Sequence, residues 1–244
     1  MPDSLDLLAI GAHPDDVEMT SGGWLCLAAQ QGYRTGIIHL TKGEMGTRGT
    51  PAQRVREAKA AAAVLGCSFL EFAGLKDGFL RADDASTHRL VELLRKLKPR
   101  LVIAPFMQCH HPDHEAAAAL AVRAVHLAGL KGYKSKAPHH RVIRLVHARY
   151  SRHFEPAFYV DVSAVIERKR SAIECYSSQF TPVSGQPQTR MSARGFLDQY
   201  MSLTAQLGLK AGCAHAEAYW LSSAPALNDP VAVLSAGVSQ HMIR

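Results

Sequence analysis

The sequence predicts an α/β domain: a Rossmann-like, mostly parallel sheet with helices on both faces and a less regular C-terminal third. Three observations carry this. Short apolar runs of strand length alternate with amphipathic or alanine-rich stretches of helix length as far as residue 128. Two of the strand-to-helix handovers hold clusters of His and Asp. After Gly129 the alternation loosens. No internal repeat or low-complexity linker divides the chain, so residues 1–244 read as a single domain.

In order, residues 5–10 form a buried strand and 24–31 a helix, with Gly22-Gly23 between the first turn and that helix. Residues 33–41 (YRTGIIHLT) form a second strand. The loop 42–51, KGEMGTRGTP, carries three glycines and a proline; it is long for a strand-to-helix connection, which usually takes about 2–6 residues. A helix over 52–65 ends at Gly66, and its first turns hold Arg54 and Arg56, which oppose the helix dipole and so have another purpose. Strand 67–72, the glycine-marked loop 74–80 (GLKDGFL), helix 84–98 and strand 101–105 (LVIAP) follow. An alanine-rich helix spans 115–128, and 131–140 is an exposed polar loop. Strands at 142–150 and 157–162, helices at 163–175 and 189–208, a loop at 179–187 and a strand or loop at 214–221 complete the chain.

The bulk numbers exclude several classes. Hydrophobic residues make up 47% of the 244, enough for a sizeable core. The charge of +7 is dispersed, which suits a small anionic substrate or simple solubility more than nucleic acid, and no nucleic-acid-binding motif is present. Cys26, Cys67, Cys109, Cys175 and Cys213 are odd in number and widely spaced, which fits a reducing cytoplasm. No basic-then-apolar leader precedes Leu5, and no apolar run approaches the ~20 residues of a membrane span.

The chemistry concentrates in AHPDDVE (12–18), after the first strand, and CHHPDHE (109–115), after the strand at 101–105. Both lie at the sheet edge where open α/β folds bind ligands. The first offers His13, Asp15 and Asp16; the second offers His110, His111, Asp113 and His114. Two His, one carboxylate and a water form a common catalytic zinc set. A spare carboxylate then serves as general base, a spare His stabilises an oxyanion, and Asp113 is placed to orient His111. Spacing leaves open which of Asp15 and Asp16 meets the metal, and Asp15 or Asp113 also suits a helix cap. His39, His88, His126, His139, His140, His147, His153 and His241 lack such clustering. The HExxH pattern fails at Ala118, and His13-Pro14 breaks the dinucleotide fingerprint.

Five ordered stretches, IGAHPDDVE, LTKGEMGTRGT, LKDGFL, HHPDH and YSSQF (176–180), resemble the PIG-L/LmbE-like zinc N-deacetylases. They are most similar to the bacillithiol-biosynthesis branch, which deacetylates N-acetylglucosaminyl-malate. The resemblance implies zinc on His13, Asp16 and His114, Asp15 as general base, and His111 as an imidazolium facing the oxyanion with Asp113 as its partner. It places Arg54 at the substrate, with Arg48 from the preceding loop beside it. Two positions depart from the family pattern: His110 stands where Arg is frequent, and His215-Ala216-Glu217 replaces a Tyr-Ala-Glu whose Tyr closes over the site. Both border the substrate. The resemblance also implies a homo-oligomer, with a hexamer as the frequent form. The alternatives are a deacetylase of another N-acetyl amino sugar and a non-catalytic Rossmann-like ligand-binding module.

Overall fold

The computed structural model describes residues 4–235, so His241 and the ends of the predicted domain lie outside the described residues. The elements are β1 (Leu7–Gly11), α1 (Asp16–Gln30), β2 (Thr35–His39), α2 (Pro51–Leu65), β3 (Phe69–Phe72), α3 (Asp84–Leu97), β4 (Leu101–Pro105) and α4 (Pro112–Ala128). Then come β5 (Arg144–Ala148), β6 (Phe158–Asp161), a 3₁₀ turn (Ser163–Val165), α5 (Ile166–Glu174), α6 (Ser177–Phe180), α7 (Phe196–Ala211), β7 (Ala216–Trp220) and α8 (Pro230–Ser235).

One seven-stranded sheet has the order β3-β2-β1-β4-β5-β7-β6. The first five strands are mutually parallel, and β7 runs antiparallel between β5 and β6. The α/β, mostly parallel architecture is therefore as the sequence predicts. Strand alternation splits the core. Leu8, Ile10, Ile38, Val102 and Ala104 face α3 and α4 on one side. Leu7, Ala9, Ile37, Ile103 and Val146 face α1, α2 and α5 on the other. Both faces are covered, which is why these strands read as unbroken apolar runs. No helix among the described residues is long and apolar enough to cross a membrane.

Several boundaries differ from the sequence reading. α1 starts at Asp16 and runs straight through Gly22-Gly23, whereas the pattern placed its start at residue 24. Gly23 is a packing requirement: a Cβ there would sit 2.6 Å from Val162 Cγ1 and 2.8 Å from Glu217 Oε1. α4 starts at Pro112, so Asp113 and His114 lie in its first turn rather than before it. The predicted helix over 189–208 is α7, beginning only at Phe196. Residues 214–221, open between strand and loop, contain β7, inserted by hydrogen bonding from both neighbours. Both partners lie far from β7 along the chain, so the pairing leaves no local pattern to announce it.

Candidate metal centre

The strand order reverses direction between β1 and β4, and both His-Asp motifs leave the carboxyl ends of these two adjacent strands. That crevice is the topological switch point of the sheet. Parallel pairing of β1 with β4 is what brings residues a hundred positions apart into one site.

His13, Asp16 and His114 each present a ligand atom, all within 4.8 Å of one another. Asp16 is the centre of the trio. Its Oδ2 lies 3.4 Å from His13 Nδ1 and its Oδ1 lies 3.2 Å from His114 Nε2. The far nitrogen of each imidazole is also engaged. His114 Nδ1 meets Cys109 Sγ at 3.2 Å, while His13 Nε2 lies 3.0 Å from Asp77 Oδ1 and 3.3 Å from Asp113 Oδ2. A ligand imidazole whose other nitrogen is fixed by a carboxylate or similar group is a recurrent metal-site arrangement. Two imidazoles and one carboxylate suit zinc, whereas calcium or magnesium would call for an oxygen cage.

The electrostatics fit a cation. Burial works against a charged His13, but hydrogen bonds with Asp113, Asp16 and Asp77 outweigh it and raise the ring to about 12. Burial likewise opposes charge on His114, and Asp16 reverses the effect, raising it to about 9. Asp16, although buried, is held well below the usual carboxylate range by His114 and His13. Without an ion, imidazole protons neutralise the carboxylates; an ion binding there displaces those protons.

Asp15 belongs to the same turn but faces elsewhere. Its φ of 98° is left-handed, a conformation that non-glycine residues other than Asn and Asp seldom adopt, and this turns its side chain away from that of Asp16. Asp15 Oδ2 lies 3.0 Å from Arg54 Nη2, and the same guanidinium nitrogen donates to the Pro14 carbonyl. A Cβ at Gly43 would overlap that guanidinium, so the first glycine of the long loop makes room for it. Burial pushes Asp15 up, Arg54 pulls it back and Asp16 pushes it up again, to about 7. A carboxylate near neutrality is matched to general-base work.

The partnership expected between Asp113 and His111 takes a different form. The Asp113 carboxylate accepts from Gly78 N at 2.7 Å and Leu80 N at 3.3 Å and meets His13, because the first turn of α4 points it at the 74–80 loop. The contact with His111 is instead through the backbone: Asp113 N–H donates to His111 Nδ1 at 3.2 Å, and His111 caps α4. Nδ1 is therefore an acceptor, and the ring proton sits on Nε2. Burial and the neighbouring His114 and His13 push His111 below its ordinary value.

The four expected substrate residues scatter. Arg54 is committed to Asp15. Arg48 is 4% exposed and donates to the Thr181 carbonyl at 2.7 Å. His110 is exposed at the rim, with its backbone N–H on Ser151 Oγ at 3.2 Å. His215 is held elsewhere: its Nδ1 bonds Thr204 Oγ1 at 2.8 Å and its N–H bonds Ser163 Oγ at 2.9 Å, because it directly precedes β7, which pairs with β6 and packs against α7. The aromatic ring against the trio is Tyr150, 4.7 Å from His114.

Sequence reasoning missed Asp77, Cys109 and Tyr150. The LKDGFL stretch signalled the first, and the second adjoins the His-Asp cluster. The five stretches prove to bond one another. Tyr176 Oη donates to Glu18 at 2.8 Å, Ser178 Oγ to Glu57 at 2.7 Å and Gln179 Nε2 to the Arg48 carbonyl at 2.7 Å, so YSSQF braces α1, α2 and the long loop.

The chain is similar to known proteins over most of its length. The PIG-L family profile, GlcNAc-PI de-N-acetylase, matches residues 8–125. A 4-oxalmesaconate hydratase of Pseudomonas putida is 29% identical over 192 residues, covering 70% of this chain and 73% of the hydratase. The diacetylchitobiose deacetylase of Thermococcus kodakarensis is 30% identical over 190 residues, covering 71% of this chain and 70% of the deacetylase. Among solved structures, the conserved protein TT1542 of Thermus thermophilus is 37% identical with a TM-score of 0.85, covering 93% of this chain and 98% of that one. The chain belongs to the PIG-L family.

Proposed function

We propose that the protein is a zinc-dependent N-deacetylase of N-acetylglucosaminyl conjugates, with N-acetylglucosaminyl-malate, the bacillithiol precursor, as its substrate. The observation that carries the reading is the His13, Asp16 and His114 trio with Asp15 beside it, held by Arg54. His13, Asp16 and His114 would hold the zinc, whose chemistry there would be to polarise the acetamide carbonyl and to acidify a water. Asp15 takes the proton from the attacking water. His111 donates its Nε2–H to the oxyanion, a contribution of about 3–4 kcal/mol for a preorganised donor. Asp15 then returns the proton to the leaving amine. The malate half of the reading rests on the motif resemblance, since Arg54 and Arg48 are both engaged within the protein. A homo-oligomer, hexameric by the same resemblance, in the cytoplasm belongs to this proposal; light scattering on the purified protein tests its size.

The test is acetate release from a panel of N-acetylglucosaminyl conjugates, with metal analysis of the same sample. Stoichiometric zinc and preference for the malate conjugate are expected. Equal release from uncharged glycosides would move the substrate to another N-acetyl amino sugar. Zinc without acetate release would favour water addition to an unsaturated acid, the reaction named for the Pseudomonas putida relative. A metal-free protein would leave a ligand-binding module.

A further inference from the structure

Asp77 has no role in the reading above, yet it touches a metal ligand. It sits in the loop between β3 and α3 and is 5% exposed. Its Oδ1 lies 3.0 Å from His13 Nε2, and its Oδ2 accepts the Met45 N–H at 2.7 Å. Met45 is mid-way along the long loop before α2, and its side chain is exposed, so the loop is held here by its backbone. Asp113 Oδ2 also lies 3.3 Å from the same His13 nitrogen.

His13, Asp77 and Asp113 have ligand atoms within 4.8 Å of one another, so the group resembles a second cation site. His13 decides against that. A neutral imidazole has one lone pair and one N–H. Its Nδ1 faces Asp16, and if the lone pair there serves the trio, Nε2 carries the hydrogen. A hydrogen facing two carboxylates is what the geometry then requires, and a second cation at Nε2 would meet it head-on.

We propose that Asp77 is a positioning residue for the metal ligand His13: it fixes the tautomer and ring plane that aim Nδ1 at the metal, and it hangs the 42–50 loop from the same carboxylate. This rests on the trio being the metal site. A purely structural Asp77 would anchor the loop without affecting the metal.

The test uses the full chain with zinc, and with cobalt(II) as a spectroscopic substitute. Zinc affinity is measured by chelator competition for the parent, Asp77→Asn and Asp77→Glu, with amide hydrogen exchange of residues 42–50. Asp77→Asn keeps the size of the side chain and removes the charge. The expected result is an affinity loss of about 10–100-fold for Asp77→Asn, an altered cobalt(II) absorption band, faster exchange in the loop, and partial recovery of affinity in Asp77→Glu. Unchanged affinity and band together with faster loop exchange would make Asp77 a loop anchor only and overturn the proposal. The parent alone also decides, whether or not the variants fold: two tightly bound zinc ions per chain would make this group a second site, against the proposal. A parent that binds no zinc would instead remove the underlying reading of the trio.

Discussion

Arg54 Nη2 lies 3.0 Å from Asp15 Oδ2, and both side chains are buried. The arginine that opposes its own helix dipole thus holds the proposed base in place. Arg54→Ala is expected to lower kcat on charged and uncharged N-acetylglucosaminyl substrates alike, by about 10²–10⁴-fold if Asp15 loses its orientation. Arg54 pulls the Asp15 pKa down, so its removal raises that pKa. The acidic limb of the pH–rate profile should then move to higher pH. A loss confined to KM for the malate conjugate would return Arg54 to the role of aglycone receptor.

Asp15 and Asp16 should separate by metal content. Asn tolerates the left-handed backbone of Asp15 as Asp does, so Asp15→Asn should keep the turn. It is expected to bind zinc like the parent and to lose about 10²–10⁴-fold in turnover. Asp16→Ala removes the group that both imidazoles face, and should be zinc-poor and inactive, with partial rescue by excess zinc. Metal analysis and acetate release on the two purified variants check this; a zinc-poor Asp15→Asn beside a zinc-replete Asp16→Ala would exchange their roles.

His215 is expected to be silent in catalysis. Its ring bonds Thr204 on α7, and its backbone joins the end of β6. His215→Ala should leave kcat and KM unchanged and cost about 1 kcal/mol of stability through the lost hydrogen bond. Steady-state kinetics and urea unfolding are the measurements. A large kinetic effect would show that the side chain reaches the reacting centre.

Glu217 should matter for stability. It is 2% exposed, meets Lys169 Nζ at 2.6 Å, and accepts the Gly23 and Trp24 amides of α1 at 2.8 and 2.9 Å. Glu217→Ala strands a buried ammonium and should cost about 3–5 kcal/mol. Replacing both partners, Glu217→Leu with Lys169→Met, should recover much of that loss in denaturant unfolding. An isolated Glu217→Ala variant as stable as the parent would refute the pairing.

The sequence by itself determined the α/β class, because five parallel strands buried on both faces must be short apolar runs, and their crossover helices must show a periodic apolar face. It also determined the chemical inventory: two His-Asp clusters at two handovers offer His13, Asp15, Asp16, His110, His111, Asp113 and His114, and the motif resemblance, not their spacing, selects His13, Asp16 and His114 as donors. Local signals failed where packing overrode them. Gly22-Gly23 reads as a helix break, but Gly23 is there so that Val162 and Glu217 can approach the helix. β7 has no pattern of its own, because its place between β5 and β6 is set by partners distant in sequence. Only the tertiary structure decided how the donors are shared. Asp15 and Asp16 are equivalent in sequence, and the left-handed φ of Asp15 sends one to Arg54 and leaves the other to the imidazoles. Asp113 stands two residues from His111 in the chain, yet the start of α4 at Pro112 aims its carboxylate at Gly78 and His13. Asp77 entered the sequence reading as part of a glycine-marked loop. The direction a side chain takes from its turn depends on backbone dihedrals and on what packs against it, and neither is written in the spacing of residue types.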